Sequence, residues 1–231
     1  SQSPYLQGLM LTLEAKTGFV RALVGGRDFG DSKFNRVTQS RRQPGSTFKP
    51  IVFAAALEQG HTLSELVVDE PFSLDIPGQD TWSPQNYDLK FGGQMTLRRA
   101  LYDSRNIPTI KLGQLVGEQT VIDEARRFGI STNVRAVPSI HIGSADVVPL
   151  EMIASFTAFA NTGARTVPQA ILRVEDRAGR IIWQPQPKKV SVLEPAVAWL
   201  VTDVLRDVVR RGTASGTVGS QITFPAAGKT G

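Results

Sequence analysis

A serine and a lysine stand three residues apart in the segment RRQPGSTFKPIVFAAALEQG, at the predicted start of a helix. Ser46 and Lys49 would therefore share one face of that helix. A serine hydroxyl becomes a good nucleophile when a nearby base removes its proton, and a lysine serves as that base only when neutral. Burial in an apolar helix, with another cation nearby, would lower the lysine pKa in the required direction. Taken alone, the spacing more often marks a capping serine followed by an exposed lysine.

A Ser-x-Asn pattern occurs twice, at 104–106 and at 131–133. Such a pair could act in the same site, because a hydroxyl can pass on a proton while an amide holds a substrate carbonyl. The first copy follows the helical pattern TLRRALYD, so a helix end could project Ser104 and Asn106 into a cleft. The second copy is typical of an ordinary polar loop. We therefore expect the first copy to be the functional one.

The tripeptide Lys-Thr-Gly also occurs twice, at 16–18 and at 229–231. The early copy lies between two β-rich runs, GLMLTLE and GFVRALVGG, where a hairpin turn with its glycine is expected. In the late copy, Lys229 and Thr230 offer a cation and a hydroxyl suited to a carboxylate, and Gly231 would let a substrate backbone approach closely. A phosphate-binding loop ending in Gly-Lys-Thr is excluded, because its first glycine would fall at position 223, which is threonine.

Composition narrows the possible chemistry. The 231 residues include 26 lysines and arginines against 21 acidic residues, a formal net charge of +5. That balance suits an anionic partner without choosing among nucleic acid, lipid headgroups and an anionic polymer. The sequence has no cysteine and only two histidines, which excludes thiol nucleophiles and most zinc sites. Because no reading motif is present, we expect no nucleic acid as a partner.

Hydrophobic periodicity and Gly/Pro punctuation predict a mixed fold in one domain over residues 1–231. The helix carrying Ser46 should run to about Gln59, stop at Gly60 and lie centrally, because it is apolar on every side. Residues 61–95 are rich in Pro, Gly and Asp, and we expect them to be largely irregular. The other predicted elements are helices over 96–104, 108–116, 118–129, 149–163 and 195–212, hairpins over 8–26 and 170–184, and a possible strand within 222–231.

The order Ser-x-x-Lys, Ser-x-Asn, Lys-Thr-Gly is the signature of penicillin-binding proteins and serine β-lactamases. The segments LVGGRDFGDSKFNRVTQSRRQPGSTFKPIVFAAALEQG, NYDLKFGGQMTLRRALYDSRNIPTIKL and VPLEMIASFTAFANTGA strongly resemble the transpeptidase domain of class A (bifunctional) penicillin-binding proteins. The resemblance runs from about Gln7 to Gly231. It implies an α+β fold, in which an antiparallel sheet packs with helices beside an all-helical lobe.

The resemblance also implies a role for each motif residue. Serine displaces the last D-Ala of a peptidoglycan stem peptide, and an amine from a second strand then resolves the acyl-enzyme into a crosslink. A β-lactam would be bound as a substitute for D-Ala-D-Ala, and the resemblance implies neither a metal nor an organic cofactor. The implied residues are the nucleophile Ser46, its base Lys49, the proton relay Ser104, the backbone ligand Asn106, and Lys229, Thr230 and Gly231 for the terminal carboxylate. The implied location is the outer face of the bacterial cytoplasmic membrane, in the periplasm or cell-wall space.

Two departures from the resemblance matter. A Glu-x-x-x-Asn segment, which positions the deacylating water in class A β-lactamases, follows none of the glutamates between the second and third motifs. This favours a transpeptidase over an antibiotic hydrolase and leaves a D,D-carboxypeptidase or a non-catalytic penicillin-recognising sensor or scaffold open.

In the family, Lys-Thr-Gly is followed by two strands and a helix. We therefore expect a C-terminally truncated, catalytically impaired chain whose last stretch is frayed or displaced, and a parent protein with an N-terminal membrane helix and glycosyltransferase domain that this sequence lacks.

Overall fold

The computed structural model describes residues 6–76, 78 and 80–231, so Ser1–Tyr5, Pro77 and Gln79 lie outside the described part of the predicted domain. Helices and strands alternate irregularly along the chain. The α-helices are α1 (Lys49–Glu58), α2 (Leu97–Tyr102), α3 (Asn106–Val116), α4 (Glu118–Arg127), α5 (Pro149–Ser155), α6 (Thr157–Ala160) and α7 (Pro195–Arg210). The strands are β1 (Met10–Leu13), β2 (Val20–Val24), β3 (Leu66–Asp69), β4 (Gly93–Thr96), β5 (Ala164–Thr166), β6 (Val174–Glu175), β7 (Ile181–Trp183) and β8 (Lys189–Ser191).

The strands pair antiparallel as β1–β2, β3–β4, β5–β8 and β6–β7. Both predicted hairpins form, as β1–β2 and β6–β7. The expectation that 61–95 is largely irregular is wrong at its ends, where β3 pairs with β4 in full register from Leu66–Thr96 to Asp69–Gly93. These strands are four residues each, and the intervening loop must fold back before they meet, so local periodicity gives little sign of them.

Helix α1 lies at the centre of the core, as its composition predicts. Its residues from Lys49 to Ala56 are buried, and it packs against α3, α4 and α7. The chain enters α1 through a 3-10 turn over Gly45–Phe48, so the α-helical hydrogen bonding begins at Lys49 rather than near Ser46. The C-terminal end of α1 matches the predicted stop at Gly60, because α1 ends at Glu58 and Gly60 adopts a φ of +94°. This turn sets the geometry of the Ser-x-x-Lys pair.

The helix predicted over 149–163 is broken into α5 and α6 at Phe156. Side chains next to the break bond back to the preceding turn: Ser155 Oγ donates to Met152 O, and Thr157 Oγ1 donates to Ala154 O. Thr157 Oγ1 also accepts the N–H of Thr166 in β5, which fixes the second piece against a strand. Such backbone-directed hydroxyls bend or interrupt helices.

The last segment, 222–231, forms no strand in the described structure, contrary to one expectation. It is not displaced either, because the Gly228 N–H donates to Leu205 O of α7 at 3.1 Å. Thr230 Oγ1 and Thr213 Oγ1 lie 2.8 Å apart in a hydrogen bond. A Cβ on Gly231 would lie 2.8 Å from Thr47 Cγ2, so the absence of a side chain lets this segment lie against the 3-10 turn.

The approach to the 3-10 turn is held by a second stretch of backbone. Arg42 and Val147 exchange two N–H···O bonds of 3.0 and 2.9 Å, and Gly45 N–H donates to Gly143 O at 3.1 Å. Gly143 follows a 3-10 helix over Pro138–Ile142 and has a φ of +77°. A Cβ at this position would lie 2.1 Å from Gly45 O. The glycine therefore permits both the left-handed conformation and the close contact that holds the residue before Ser46.

Two alanine variants can separate the cost of the left-handed backbone from the cost of the close contact. Gly143→Ala affects both, and Gly179→Ala, the matched control, affects the backbone alone. Gly179 has a φ of +79°, with nothing within 4 Å of its added Cβ. We expect Gly179→Ala to lower the free energy of unfolding by about 1–2 kcal/mol for the left-handed backbone alone. Gly143→Ala should cost about 1–3 kcal/mol more, because the overlap forces the backbone apart. Urea denaturation measures both, and equal losses would contradict the role of the contact.

Candidate active site

Two lysines from distant parts of the chain meet at Ser104. Lys49 Nζ donates to Ser104 O and to Asn106 Oδ1, each at 2.7 Å, and lies 3.4 Å from Ser104 Oγ. On the other side, Lys229 Nζ donates to Ser104 Oγ at 2.7 Å and to Thr230 O at 2.9 Å. The structure therefore joins residues of all three sequence motifs around one hydroxyl, although the motifs are separated by 55 and 125 residues.

Ser46 lies in the 3-10 turn, one turn before Lys49, and its carbonyl accepts the Lys49 N–H. Side chains at positions i and i+3 of a 3-10 turn eclipse each other, so both residues lie on one face. In the described part of the chain, Ser46 Oγ makes no hydrogen bond to Lys49 Nζ or to any other group. The hydroxyl is half-buried and remains available to an incoming electrophile.

Lys49 carries the most perturbed amine of the site. Its side chain is 0% exposed, and burial, followed by the charges of Lys229 and Arg105, holds its pKa well below the ordinary lysine value. A neutral amine has two N–H donors and one lone pair. In the neutral form, the two bonds of 2.7 Å, to Ser104 O and Asn106 Oδ1, would occupy both donors and leave one lone pair, with Ser104 Oγ as a third contact at 3.4 Å.

Lys229 contributes the second amine of the site. Burial lowers its pKa to about 8, so most of it carries a charge at neutral pH. Within the described residues no carboxylate pairs with it: its Nζ partners are Ser104 Oγ and atoms of Thr230. The site thus places a fully buried lysine, whose pKa is lowered by burial and by two neighbouring cations, beside a less buried lysine that is mostly charged at neutral pH.

Ser104 and Asn106 are placed by the junction between α2 and α3. Ser104 has a φ of +57°, an uncommon conformation for a residue other than glycine. Asn106 begins α3, where its N–H donates to Asn86 Oδ1 and its Nδ2 donates to Gln85 O, both at 2.8 Å. This amide orientation turns Oδ1 towards Lys49. Sequence reasoning missed Gln85 and Asn86; the polar run QNYD was the only signal for them.

The two competing motif copies lie elsewhere. Lys16 and Gly18 belong to the β1–β2 turn, where Gly18 has a φ of +77°. Ser131 lies on an exposed loop, and its hydroxyl donates to Glu151 Oε1 at 2.5 Å rather than to a lysine. Each copy therefore has the local role that the sequence predicted for it, as hairpin turn and polar loop.

Within residues 6–76, 78 and 80–231, no three His, Cys, Asp or Glu side chains are arranged to bind a metal ion. The same described part of the chain includes no helix with the length and apolar character needed to cross a membrane.

The contrast between the two amines can be measured by NMR titration of labelled lysine side chains. Lys49 should titrate well below the ordinary lysine value, and the midpoint of Lys229 should lie near pH 8. In Lys229→Met the Lys49 pKa should rise, because a nearby positive charge no longer opposes its protonation. Lys16→Met is the matched control from the early motif copy and should leave the Lys49 titration unchanged. An unaltered Lys49 pKa in Lys229→Met would show that the two amines are not electrostatically coupled.

Comparison with known proteins shows which family the chain is similar to. The model of the family described as "Penicillin binding protein transpeptidase domain" matches residues 8–231. Penicillin-binding protein 1A of Neisseria meningitidis serogroup A is 41% identical over 238 residues, which covers 100% of this chain and 30% of the relative. Penicillin-binding protein 1A of Pseudomonas aeruginosa is 38% identical over 201 residues, covering 85% of this chain and 24% of the relative. This chain therefore spans about a third or less of these relatives.

Solved structures agree on the fold. The crystal structure of penicillin-binding protein 1A from Haemophilus influenzae superposes with a TM-score of 0.85 at 30% identity, covering 89% of this chain and 35% of that one. The transpeptidase domain from Eggerthella lenta gives a TM-score of 0.82 at 23% identity over 97% of this chain and 66% of that one. The α+β fold expected from the resemblance is confirmed. The chain belongs to the penicillin-binding protein transpeptidase domain family.

Proposed function

We propose that this domain is a D,D-transpeptidase that crosslinks peptidoglycan stem peptides through an acyl-enzyme on Ser46. One observation carries the proposal: the buried amine of Lys49 lies one turn from Ser46 and donates to Ser104 O and Asn106 Oδ1. Burial favours the neutral form of this amine, whose lone pair can take the serine proton. The family membership supports transpeptidation as the reaction class.

In the first step, Ser46 Oγ attacks the carbonyl carbon of the penultimate D-Ala while its proton moves to Lys49 Nζ. The C–N bond to the last D-Ala then breaks, and an ester to Ser46 remains. The leaving nitrogen needs a proton, and Ser104 Oγ, 3.4 Å from Lys49 Nζ, lies where it can relay one from that amine. Lys49 thus returns to its neutral state, ready for the next step.

In the second step, an amine of another stem peptide attacks the ester carbonyl. An amide C–N bond forms, the ester C–O bond breaks, and the proton from the amine returns to Ser46 Oγ through Lys49. Water in place of the amine would give a D,D-carboxypeptidase with the same residues. The nature of the acceptor therefore depends on access to the acyl-enzyme rather than on the proton-transfer groups.

Substrate binding follows from the charges. Lys229, with Thr230 beside it, offers a cation and a hydroxyl to the terminal carboxylate, and Asn106 can hold the donor backbone. Gly231 adds no side chain beside the turn that carries Ser46, so the donor can approach closely. A β-lactam presents a carboxylate and a strained amide to the same groups and would acylate Ser46. The proposed location is the outer face of the cytoplasmic membrane, where stem peptides are crosslinked.

Acylation tests the proposed nucleophile directly. After exposure to a penicillin, intact-mass and peptide spectrometry should find one adduct on the peptide that contains Ser46. Ser46→Ala should abolish it, because Ser46 is the proposed nucleophile and lies one turn before the buried amine of Lys49. Ser131→Ala, which alters the other Ser-x-Asn copy, should keep full labelling. An adduct on another residue, or none on the unaltered protein, would refute the assignment.

Turnover then separates transpeptidation from the alternatives. Incubation with a stem-peptide donor ending in D-Ala-D-Ala and an amine acceptor should release D-Ala and give the amide-linked product. Release of D-Ala with only the hydrolysed donor would indicate a carboxypeptidase. Acylation by penicillin without turnover of the peptide donor would indicate a penicillin-recognising sensor.

The acylation rate should depend on pH with two limbs. Below the depressed pKa of Lys49 the amine is protonated and cannot accept the serine proton, so the rate falls as pH decreases through that value. Above a pH of about 8, Lys229 loses its charge and the carboxylate binds more weakly, so the rate falls again. Stopped-flow labelling at low penicillin concentration measures both limbs. A rate that stays constant from pH 7 to pH 10 would contradict the role of Lys229.

A further inference from the structure

A buried carboxylate lies behind the Ser104–Asn106 junction. Asp69, the last residue of β3, is 0% exposed and accepts three hydrogen bonds. Arg105 Nε donates to its Oδ2 at 2.7 Å, the Gly92 N–H donates to the same oxygen at 2.9 Å, and Asn86 Nδ2 donates to Oδ1 at 2.8 Å. A buried charge is tolerated only with such complete pairing, so these three donors are held firmly in place.

One of the three donors leads to Asn106. Asn86 is 3% exposed, and while its Nδ2 bonds Asp69, its Oδ1 accepts the N–H of Asn106 at 2.8 Å and lies 3.4 Å from the N–H of Ile107. Asn86 Nδ2 also donates to Lys90 O at 2.9 Å, so its NH₂ group meets two acceptors to which the amide oxygen could not bond. Asp69, together with Lys90 O, therefore turns the Asn86 oxygen towards the start of α3.

The second donor is the middle residue of the motif itself. Arg105 lies between Ser104 and Asn106, and its side chain is only 14% exposed. It forms a second ion pair, with the more exposed Asp88 at 2.9 Å, and a hydrogen bond to Lys90 O. The guanidinium thus ties the motif to β3 and to the loop at 86–92. Its charge also lowers the Lys49 pKa, so its position affects the amine electrostatically.

We propose that Asp69 is a positioning residue that, through Asn86 and Arg105, holds Ser104 and Asn106 at the correct distance from Lys49. Ser104 has a left-handed backbone, which a residue other than glycine keeps only when its surroundings enforce it. The bonds from Asp69 to Arg105, the next residue, and to Asn86, which accepts the N–H of Asn106, contribute to that enforcement. The proposal rests on the proposed acyl-transfer function and assigns no direct substrate contact to Asp69.

The test compares Asp69→Asn with Asp88→Asn, which removes a carboxylate from the same guanidinium without touching Asn86. The readout is the acylation rate constant at saturating penicillin, measured on protein whose folding has been verified by circular dichroism and its thermal midpoint. Asp69→Asn should lower this constant at least tenfold. Asp88→Asn should stay within about twofold of the unaltered protein, because an exposed ion pair contributes little. Equal constants for the two variants would overturn the proposal.

Amide hydrogen exchange gives a second readout that does not require acylation. The N–H groups of Asn106 and Gly92 should exchange faster in Asp69→Asn and at the original rate in Asp88→Asn. If the unaltered protein is never acylated, the proposed function fails, while the exchange pattern still decides whether Asp69 holds the motif. Unchanged exchange at Asn106 in Asp69→Asn would overturn the proposal whatever the acylation result.

A milder variant covers the case in which Asp69→Asn does not fold. Arg105→Lys keeps the positive charge but loses the fork that reaches Asp69, Asp88 and Lys90 together. We expect acylation to slow several-fold in Arg105→Lys with a thermal midpoint near that of the unaltered protein. Acylation at the original rate would show that the clamp on the middle residue of the motif does not position its neighbours.

Discussion

The proposed acyl transfer depends on an amine at Lys49 that can lose its proton. Charging Lys49 would place an ammonium group in a fully buried position, beside the charges of Lys229 and Arg105. Helix α1, which is apolar on every side, buries the amine at its first position and so favours its neutral form. The apolar composition of α1 therefore serves the chemistry of the site as well as the stability of the core.

The distribution of carboxylates explains why the charge of Arg105 is compensated within the protein while that of Lys229 is not. Arg105 is paired with both Asp69 and Asp88, so its charge is largely compensated within the protein. Lys229 is bonded to neutral oxygens alone in the described residues, so its charge remains for a ligand. One arginine thus holds the Ser-x-Asn motif in place while one lysine presents an uncompensated charge beside it. The same site can therefore be rigid at Ser104 and still attract an anionic substrate.

The sequence predicted the parts of this site whose signals are local. The Ser46–Lys49 spacing, the apolar helix and the better-placed Ser-x-Asn copy all followed from short segments. The 3-10 turn at Gly45–Phe48 did not, because it depends on backbone bonds from 143–147, a hundred residues later. Asp69 and Asn86 escaped prediction for a related reason: they meet Arg105 and Asn106 only after β3 and β4 have paired across a loop rich in Pro and Gly.

The duplicated motifs show how much the surroundings contribute. Lys16-Thr17-Gly18 and Lys229-Thr230-Gly231 are identical in sequence, yet Lys229 is buried enough for its pKa to fall to about 8. Lys16 lies in a hairpin turn and is exposed to solvent. A tripeptide cannot by itself lower a pKa, because desolvation comes from the atoms packed around it. The properties of the site therefore arise where the segments carrying Lys49, Ser104 and Lys229 pack together. The motif residues provide the functional groups, and the packing around them sets their pKa values.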